Sequence, residues 1–395
     1  MNLKIFTTNI DQKALDQIDL LLSQESFKDC KVRIMPDVHA GKGCVIGFTA
    51  DLGNKVIPNI VGVDIGCGML TVNLGNIDID YKELDDFIRS NIPSGRNVRN
   101  EILEDTNLKE FKCYKSLKEY DWIKKSLGSL GGGNHFIEID EDKNGTKYLI
   151  IHTGSRNLGK QVAELYQEKA ISRFDHSADF YKEFEELKQR LIKENKQSEI
   201  STTLVKLKAK YKKYQSPIPK ELCYLENEDR KDYLLDMSLS QQYAVKNRNL
   251  ISELICSYLK VKPKDKYHTI HNYINFEDNI VRKGSISARK GEKVIIPMNM
   301  KDGCIVALGK GNDDWNNSAP HGAGRLLSRR DAKSILSLDD YKKSMDGIFT
   351  TSISSFTIDE APMAYKKPQE IIDNIKDTVE VIDIIKPVYN FKAPE

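Results

Sequence analysis

The chain has 395 residues, enough for one large domain or two to three ordinary ones. Hydrophobic residues make up 39% and charged residues 30%, a balance that excludes a disordered chain and fits a globular one. Lys and Arg number 60 against 58 Asp and Glu, a net charge of +2, so any site for a polyanion must be a local patch.

In chain order, MNLKIFTTNIDQKALDQIDLLLSQ has no basic start leading into a continuous apolar stretch and does not read as a signal peptide. No uncharged apolar run approaches the roughly 20 residues that span a bilayer. A soluble, cytoplasmic protein with no membrane partner is expected. Glycine-rich text fills residues 35–68, 128–133, 154–159 and 284–324. Around it stand short β-branched runs bounded by turns, CVIGFTA, MLTVNL, HFIEI, YLIIHTG, KVIIP and CIVALG, which read as strands. Some are continuous apolar runs, as in strands buried on both faces. From about 160 to 262 the text changes. AELYQEKAISRF, DFYKEFEELKQRLIKEN and TTLVKLKAKYKKY carry apolar residues three and four apart among Lys and Glu, the pattern of amphipathic helices. Pro217 and Pro219 interrupt the series, and a further helix is predicted over 227–259. These elements predict an α/β (α+β) fold: one domain over 1–395 with mixed central sheets, motif loops at strand ends, a helical insertion at 160–262 and no internal repeat. The five lysines of LVKLKAKYKKY leave an RNA-binding helix open, but it lacks the interleaved aromatic residues of a single-strand platform and reads first as a solvated helix face.

The seven cysteines, Cys30, Cys44, Cys67, Cys113, Cys223, Cys256 and Cys304, are odd in number and unpaired in spacing, which argues against a disulfide framework. Of seven histidines, His176 and His268 have ordinary surroundings. The other five sit among glycine or asparagine: His39 in MPDVHAGKG, His135 in GGGNHFIEI, His152 in IIHTGSRNLG, His271 in HNYIN and His321 in SAPHGAGR. GVDIGCGM adds a carboxylate, Asp64, and a thiol, Cys67, whose flanking glycines permit a turn tight enough for both to meet one cation. With neutral imidazoles this is a ligand set for borderline divalent metals, and one thiolate could bridge two ions. Softness alone favours Zn, with Mn and Co left open. The three glycines before Asn134 and His135 free backbone amides for a phosphate, and Glu138 could accept from a base edge. Arg156 follows His152, and Arg325, Arg329 and Arg330 follow His321. Their forks suit phosphate oxygens, which a histidine nucleophile acting on phosphorus needs nearby.

Taken together, MPDVHAGKG, GVDIGCGM, GGGNHFIE, HTGSRNLG, HN, RKG, HGAGR, SR and EAPMAYK resemble, in order and over nearly the whole chain, the RtcB family of RNA ligases. The resemblance implies a fold with its own α/β topology and a centre of two Mn2+ ions. Asp64, Cys67, His135, His152 and His271 look like the ligands, with Cys67 bridging. It implies that His321 accepts GMP from GTP, and that Asn134, His135, Glu138, His271, Asn272, Gly322, Ala323, Gly324 and Lys392 surround the guanylate. Arg156, Arg325 and Arg329 look like contacts for RNA phosphates. The substrates implied are RNA with a 3′-phosphate or 2′,3′-cyclic phosphate and RNA with a 5′-hydroxyl, in repair or tRNA splicing, with an archease-like activator as a further partner.

Three departures stand out. Where the family commonly has Pro-Gly-Ser-Met and then a serine, this chain has Pro297, Met298, Asn299, Met300 and Cys304, around the expected nucleotide, and it carries GNDDWNNSAP before His321. The histidine that precedes the family's Arg-Lys-Gly is here Val281. A divergent branch, of repair rather than splicing type, is the expectation. Two other readings are weighed beside the ligase. A two-metal phosphoesterase acting on cyclic phosphates would use the same ligands but has no need of a nucleotide-accepting His321. A binding protein without turnover would be expected to have lost ligands, and all five are present.

Overall fold

The computed structural model of the chain describes residues 2–175, 177–212 and 218–393; His176, Pro217 and residues 213–214 of the lysine-rich segment lie outside them. The chain opens with β1 (Asn2–Ile5) and α1 (Gln12–Leu22), begun by Asp11, whose carboxylate accepts from the Ala14 amide. β2 (Lys31–His39), β3 (Ile46–Asp51), the short α2 (Pro58–Val61) and β4 (Gly68–Gly75) follow. Asp80 caps α3 (Tyr81–Asn91), and α4 (Tyr120–Lys125) leads to the hairpin of β5 (Phe136–Glu141) and β6 (Lys147–Thr153). Four helices come next: α5 (Arg156–Ser172), α6 (Ser177–Lys193), α7 (Ile200–Lys212) and α8 (Asn227–Tyr258). Short strands succeed them: β7 (Asp265–Ile270), β8 (Asn272–Asn275), β9 (Ile280–Lys283), β10 (Ser285–Ser287), β11 (Lys293–Asn299), β12 (Gly303–Gly309) and β13 (Ser318–Pro320). The chain finishes through α9 (Arg329–Ile335), α10 (Leu338–Ser344), α11 (Pro368–Asn374) and the long β14 (Val379–Lys392).

A seven-stranded sheet runs β11-β12-β14-β5-β6-β4-β7, antiparallel throughout. A five-stranded sheet runs β1-β2-β3-β9-β8, parallel only between β1 and β2, and β10 pairs with β13 alone. The fold is α+β, and each of the six predicted strands is present. β14 lacks the sequence pattern of a strand, for a physical reason. Lys386 and Pro387 sit mid-strand, and proline in a central strand is tolerated only at an irregularity. The register with β5 shifts between Pro387 and Tyr389 to accommodate it.

Two cores meet on α8. One joins Ile18, Ile34, Phe48, Ile60, Val162 and Met237; the other joins Leu70, Ile88, Ile137, Ile151, Ile251 and Phe391. Each such side chain contributes about 1.5–3 kcal/mol by leaving water. Within the 160–262 stretch, α5 and α8 therefore belong to the core. α6 and α7 pack mainly on each other, and their buried Leu191 and Leu207 join none of the core clusters. Among the described residues no helix is long and apolar enough to cross a membrane.

Candidate active site

The antiparallel pairing of β4, β5, β6 and β7 brings four expected metal ligands to one end of the large sheet. Cys67 immediately precedes β4, His135 precedes β5, and His271 follows β7. His152 lies opposite both Met69 and Phe136 near the end of β6. Asp64 arrives on the turn before Cys67, whose amide donates to the Asp64 carbonyl at 3.2 Å. Gly66 takes a left-handed φ of 75° there, which favours glycine, and Gly154 leaves the Asp64 carboxylate its place, since a Cβ there would lie 2.2 Å from Asp64 Oδ1.

The ligand atoms fall into two groups that share Cys67: Asp64–Cys67–His135 and Cys67–His152–His271, each within 4.8 Å. Cys67 Sγ stands 3.5 Å from His135 Nε2 and 3.3 Å from His152 Nε2, and the Nε2 atoms of His152 and His271 are 3.4 Å apart. The protonation pattern fits a cation. His135 Nδ1 faces the Leu130 carbonyl at 2.9 Å and His152 Nδ1 the Asn134 carbonyl at 3.1 Å. Carbonyls only accept, so these nitrogens carry the protons and leave both Nε2 lone pairs turned inward. His135 Nε2 then meets Asp64 Oδ2 at 3.1 Å, two acceptors that need a proton or a cation between them. Burial, reinforced by neighbouring imidazoles, pulls His152 and His271 well below the ordinary histidine value, which keeps them neutral and able to ligate. Burial and then Asp64 push the Cys67 thiol well up; a bound divalent ion reverses that and makes the thiolate. The residues present therefore fit a metal pair.

Helix α8 supports this end of the sheet. Asn247 accepts from the Gly128 and Ser129 amides and donates to the Ser129 and Gly154 carbonyls. The fully buried Arg248 donates to the Gly66 and Thr153 carbonyls at 2.9 and 2.6 Å, tying together the turns that carry Cys67 and His152.

His321 follows β13, and its ring centroid is 4.9 Å from that of His271. Asp37, buried on β2, holds it with one oxygen that accepts from both Nδ1, at 2.6 Å, and the backbone amide, at 3.1 Å. A carboxylate fixes the proton on Nδ1, so the Nε2 lone pair is available. Gly324, at φ 74°, lets this turn approach, since a Cβ there would lie 2.5 Å from the Asp37 carbonyl oxygen.

A cleft opens beside His321. Asn134, Glu138, His152, Pro297, Met298, Asn299, Met300, Gly322, Ala323, Gly324, Arg325, Arg329 and Lys392 line it, as do His39, Phe136, Glu360, Tyr365 and Asn390. Three of its cations meet at Glu360: Lys392 Nζ pairs with Oε2, while Arg325 and Arg329 reach Oε1 at 3.2 and 3.3 Å. Burial would raise Glu360, but Lys392, Arg329 and Arg325 outweigh it and hold the carboxyl at about 2. Glu138 Oε2 accepts from Asn390 across the β5–β14 pair.

Some sequence-predicted residues stand away from the cleft wall. Asn272 bridges the Asp64 carbonyl and the Gly284 amide. Cys304 is buried behind Glu138, 3.9 Å from its Oε1. Arg156 donates to Ser129 Oγ and the Gly95 carbonyl, behind His135. Conversely, Asp37 and Glu360 lay inside quoted motifs without an assigned role, and only their partners reveal one. Asn247 and Arg248 carry no local signal, because an amphipathic helix normally shows its polar residues to water.

The model of the family described as RtcB, tRNA-splicing ligase RtcB, matches residues 22–119 and 104–393. The RNA-splicing ligase RtcB of Escherichia coli K12 is 28% identical over 402 residues, covering 92% of this chain and 90% of that protein. The tRNA-splicing ligase RtcB of Nanoarchaeum equitans is 27% identical, with 86% and 83% covered.

Proposed function

The chain belongs to the RtcB family, and on that premise we propose that it is a GTP- and Mn-dependent RNA ligase joining a 3′-phosphate or 2′,3′-cyclic phosphate end to a 5′-hydroxyl end through a histidine-bound guanylate. The observation that carries this reading is His321, with its Nε2 lone pair left free by Asp37, beside a ligand cluster that shares one thiol. A phosphoesterase would have no use for that nucleophile.

Mn2+ ions held by Asp64, Cys67, His135, His152 and His271 would supply charge neutralisation at phosphoryl oxygens. His321 Nε2 attacks the α-phosphorus of GTP; the bond to the bridging oxygen breaks and pyrophosphate leaves. Asp37 keeps the Nδ1 proton and balances the imidazolium that forms, the part a carboxylate plays behind a catalytic histidine. An oxygen of the RNA 3′-phosphate then displaces His321 from phosphorus, giving an RNA-ppG end. The 5′-hydroxyl attacks the RNA phosphorus, loses its proton and expels GMP. Glu138 faces the guanine edge and Lys392 the base. Arg325 and Arg329, on the cleft wall, serve the RNA phosphates, while Arg156, bound to Ser129 and Gly95, supports the loop behind His135.

Incubation with GTP labelled at the α-phosphate and Mn2+ is expected to leave acid-labile label on the protein, and none on His321→Ala. Label persisting on that variant would remove His321 from its role.

A further inference from the structure

Beside the cleft, β12, β14 and β5 are neighbours, and they bring Cys304, Glu138 and Asp140 together. One donor atom of each lies within 4.8 Å of the other two, and all three residues are buried. Glu138 and Asp140 are two apart on β5 and so project from the same face. The cluster shares no residue with the ligand set around Cys67. Glu138 accepts from Asn390 and, at 3.9 Å, from the Cys304 thiol, but the protein leaves Asp140 unsatisfied. Neither Asp140 oxygen has a hydrogen-bond partner among the described residues, although Asp140 is 0% exposed. Asn390, opposite Glu138 on β14, gives its amide to Glu138 and leaves its own buried oxygen without a donor. Buried acceptors without donors are costly and rare, and both Asp140 oxygens are of that kind in a cluster that also holds a soft sulfur.

We propose that Cys304, Glu138 and Asp140 form a separate binding site for a borderline divalent cation of the zinc class. Thiolate and carboxylate oxygens are the donors such an ion takes in tetrahedral sites. Burial raises both carboxyls and pushes the Cys304 thiol well up, so protons fill the place when the ion is absent. Binding releases those protons, and affinity rises with pH. Glu138 also lines the cleft. On the guanylate reading above, an ion here takes from Glu138 the oxygens meant for the base and competes with GTP.

Full-length protein loaded with Zn2+ and desalted is expected to retain one zinc equivalent more than Cys304→Ser, and one more than Asp140→Asn, by elemental analysis. With Co2+, a thiolate charge-transfer band should survive in Cys67→Ala and vanish when Cys304→Ser is added. Equal zinc content in wild type and whichever of the two variants folds would overturn the site. A second arm follows GTP labelling at fixed Mn2+. Added Zn2+ should raise the GTP needed for half-maximal label several-fold more in wild type than in Asp140→Asn. An intact zinc difference without that competition would strike only the guanylate reading of Glu138 and leave the metal site standing.

Discussion

Asp37 and His321 are far apart in sequence, and a single carboxylate oxygen joins them. If that oxygen fixes the tautomer, Asp37→Asn offers an amide that can hold the ring with the wrong nitrogen protonated. Guanylylation is expected to slow by up to about 10⁴-fold, the loss seen when the carboxylate behind a catalytic histidine is removed. Metal content should stay unchanged. A rate within a few-fold of wild type would show that Asp37 does not position the nucleophile. Cys67 is the donor common to both ligand groups, so Cys67→Ala should lose most bound Mn2+ by elemental analysis. A chelator should lower the melting temperature of the wild type and leave that variant unmoved. The residue types here were legible in the sequence, since His, Cys and Asp set among glycines announce ligands. Asp37 and Glu360 were visible only as letters in a motif, because a positioning role is defined by a partner distant along the chain.

Elements decide how rigidly those residues are held. α8 inserts Asn247 and Arg248 under the turns bearing the ligands, and a buried arginine bound to two carbonyls is hard to replace. Arg248→Met should keep the helical signal yet weaken Mn2+ binding about 10- to 100-fold, as loss of groups that support ligands commonly does. Unchanged affinity by titration would mean the sheet ends hold the ligands unaided. The end of β14 brings Lys392 to Glu360, where Arg325 and Arg329 also converge. Glu360 sits at about 2, below its ordinary 4.5, so its stabilisation is complete above pH 4.5 and is lost as pH falls through 2. The stability gap between wild type and Glu360→Gln, on the order of 3 kcal/mol at pH 7, should narrow at pH 3 in urea unfolding. A gap that stays constant with pH would show that the carboxylate charge is not what binds the three cations. Hydrophobic periodicity found α5 to α8 and six strands. It passed over β14, whose lysine and proline break the pattern that a strand normally shows.

At the scale of the molecule, two sheets and a pair of cores converge on α8, while α6 and α7 rest mainly on each other. Replacing residues 177–212 by a short flexible linker should therefore leave GTP labelling and metal content near wild type, and losing either would show that the pair supports the centre. By itself the sequence determined the family, the candidate ligand and nucleophile residues and most regular elements, because chemistry and periodicity are local properties of a chain. Only the tertiary structure decided that two groups of candidate ligands share Cys67, that one Asp37 oxygen meets His321, that Glu360 gathers three cations and that the buried Asp140 oxygens face no donor among the described residues. Those facts are distances between residues far apart in the chain, set by strand register and core packing, and no local pattern encodes them.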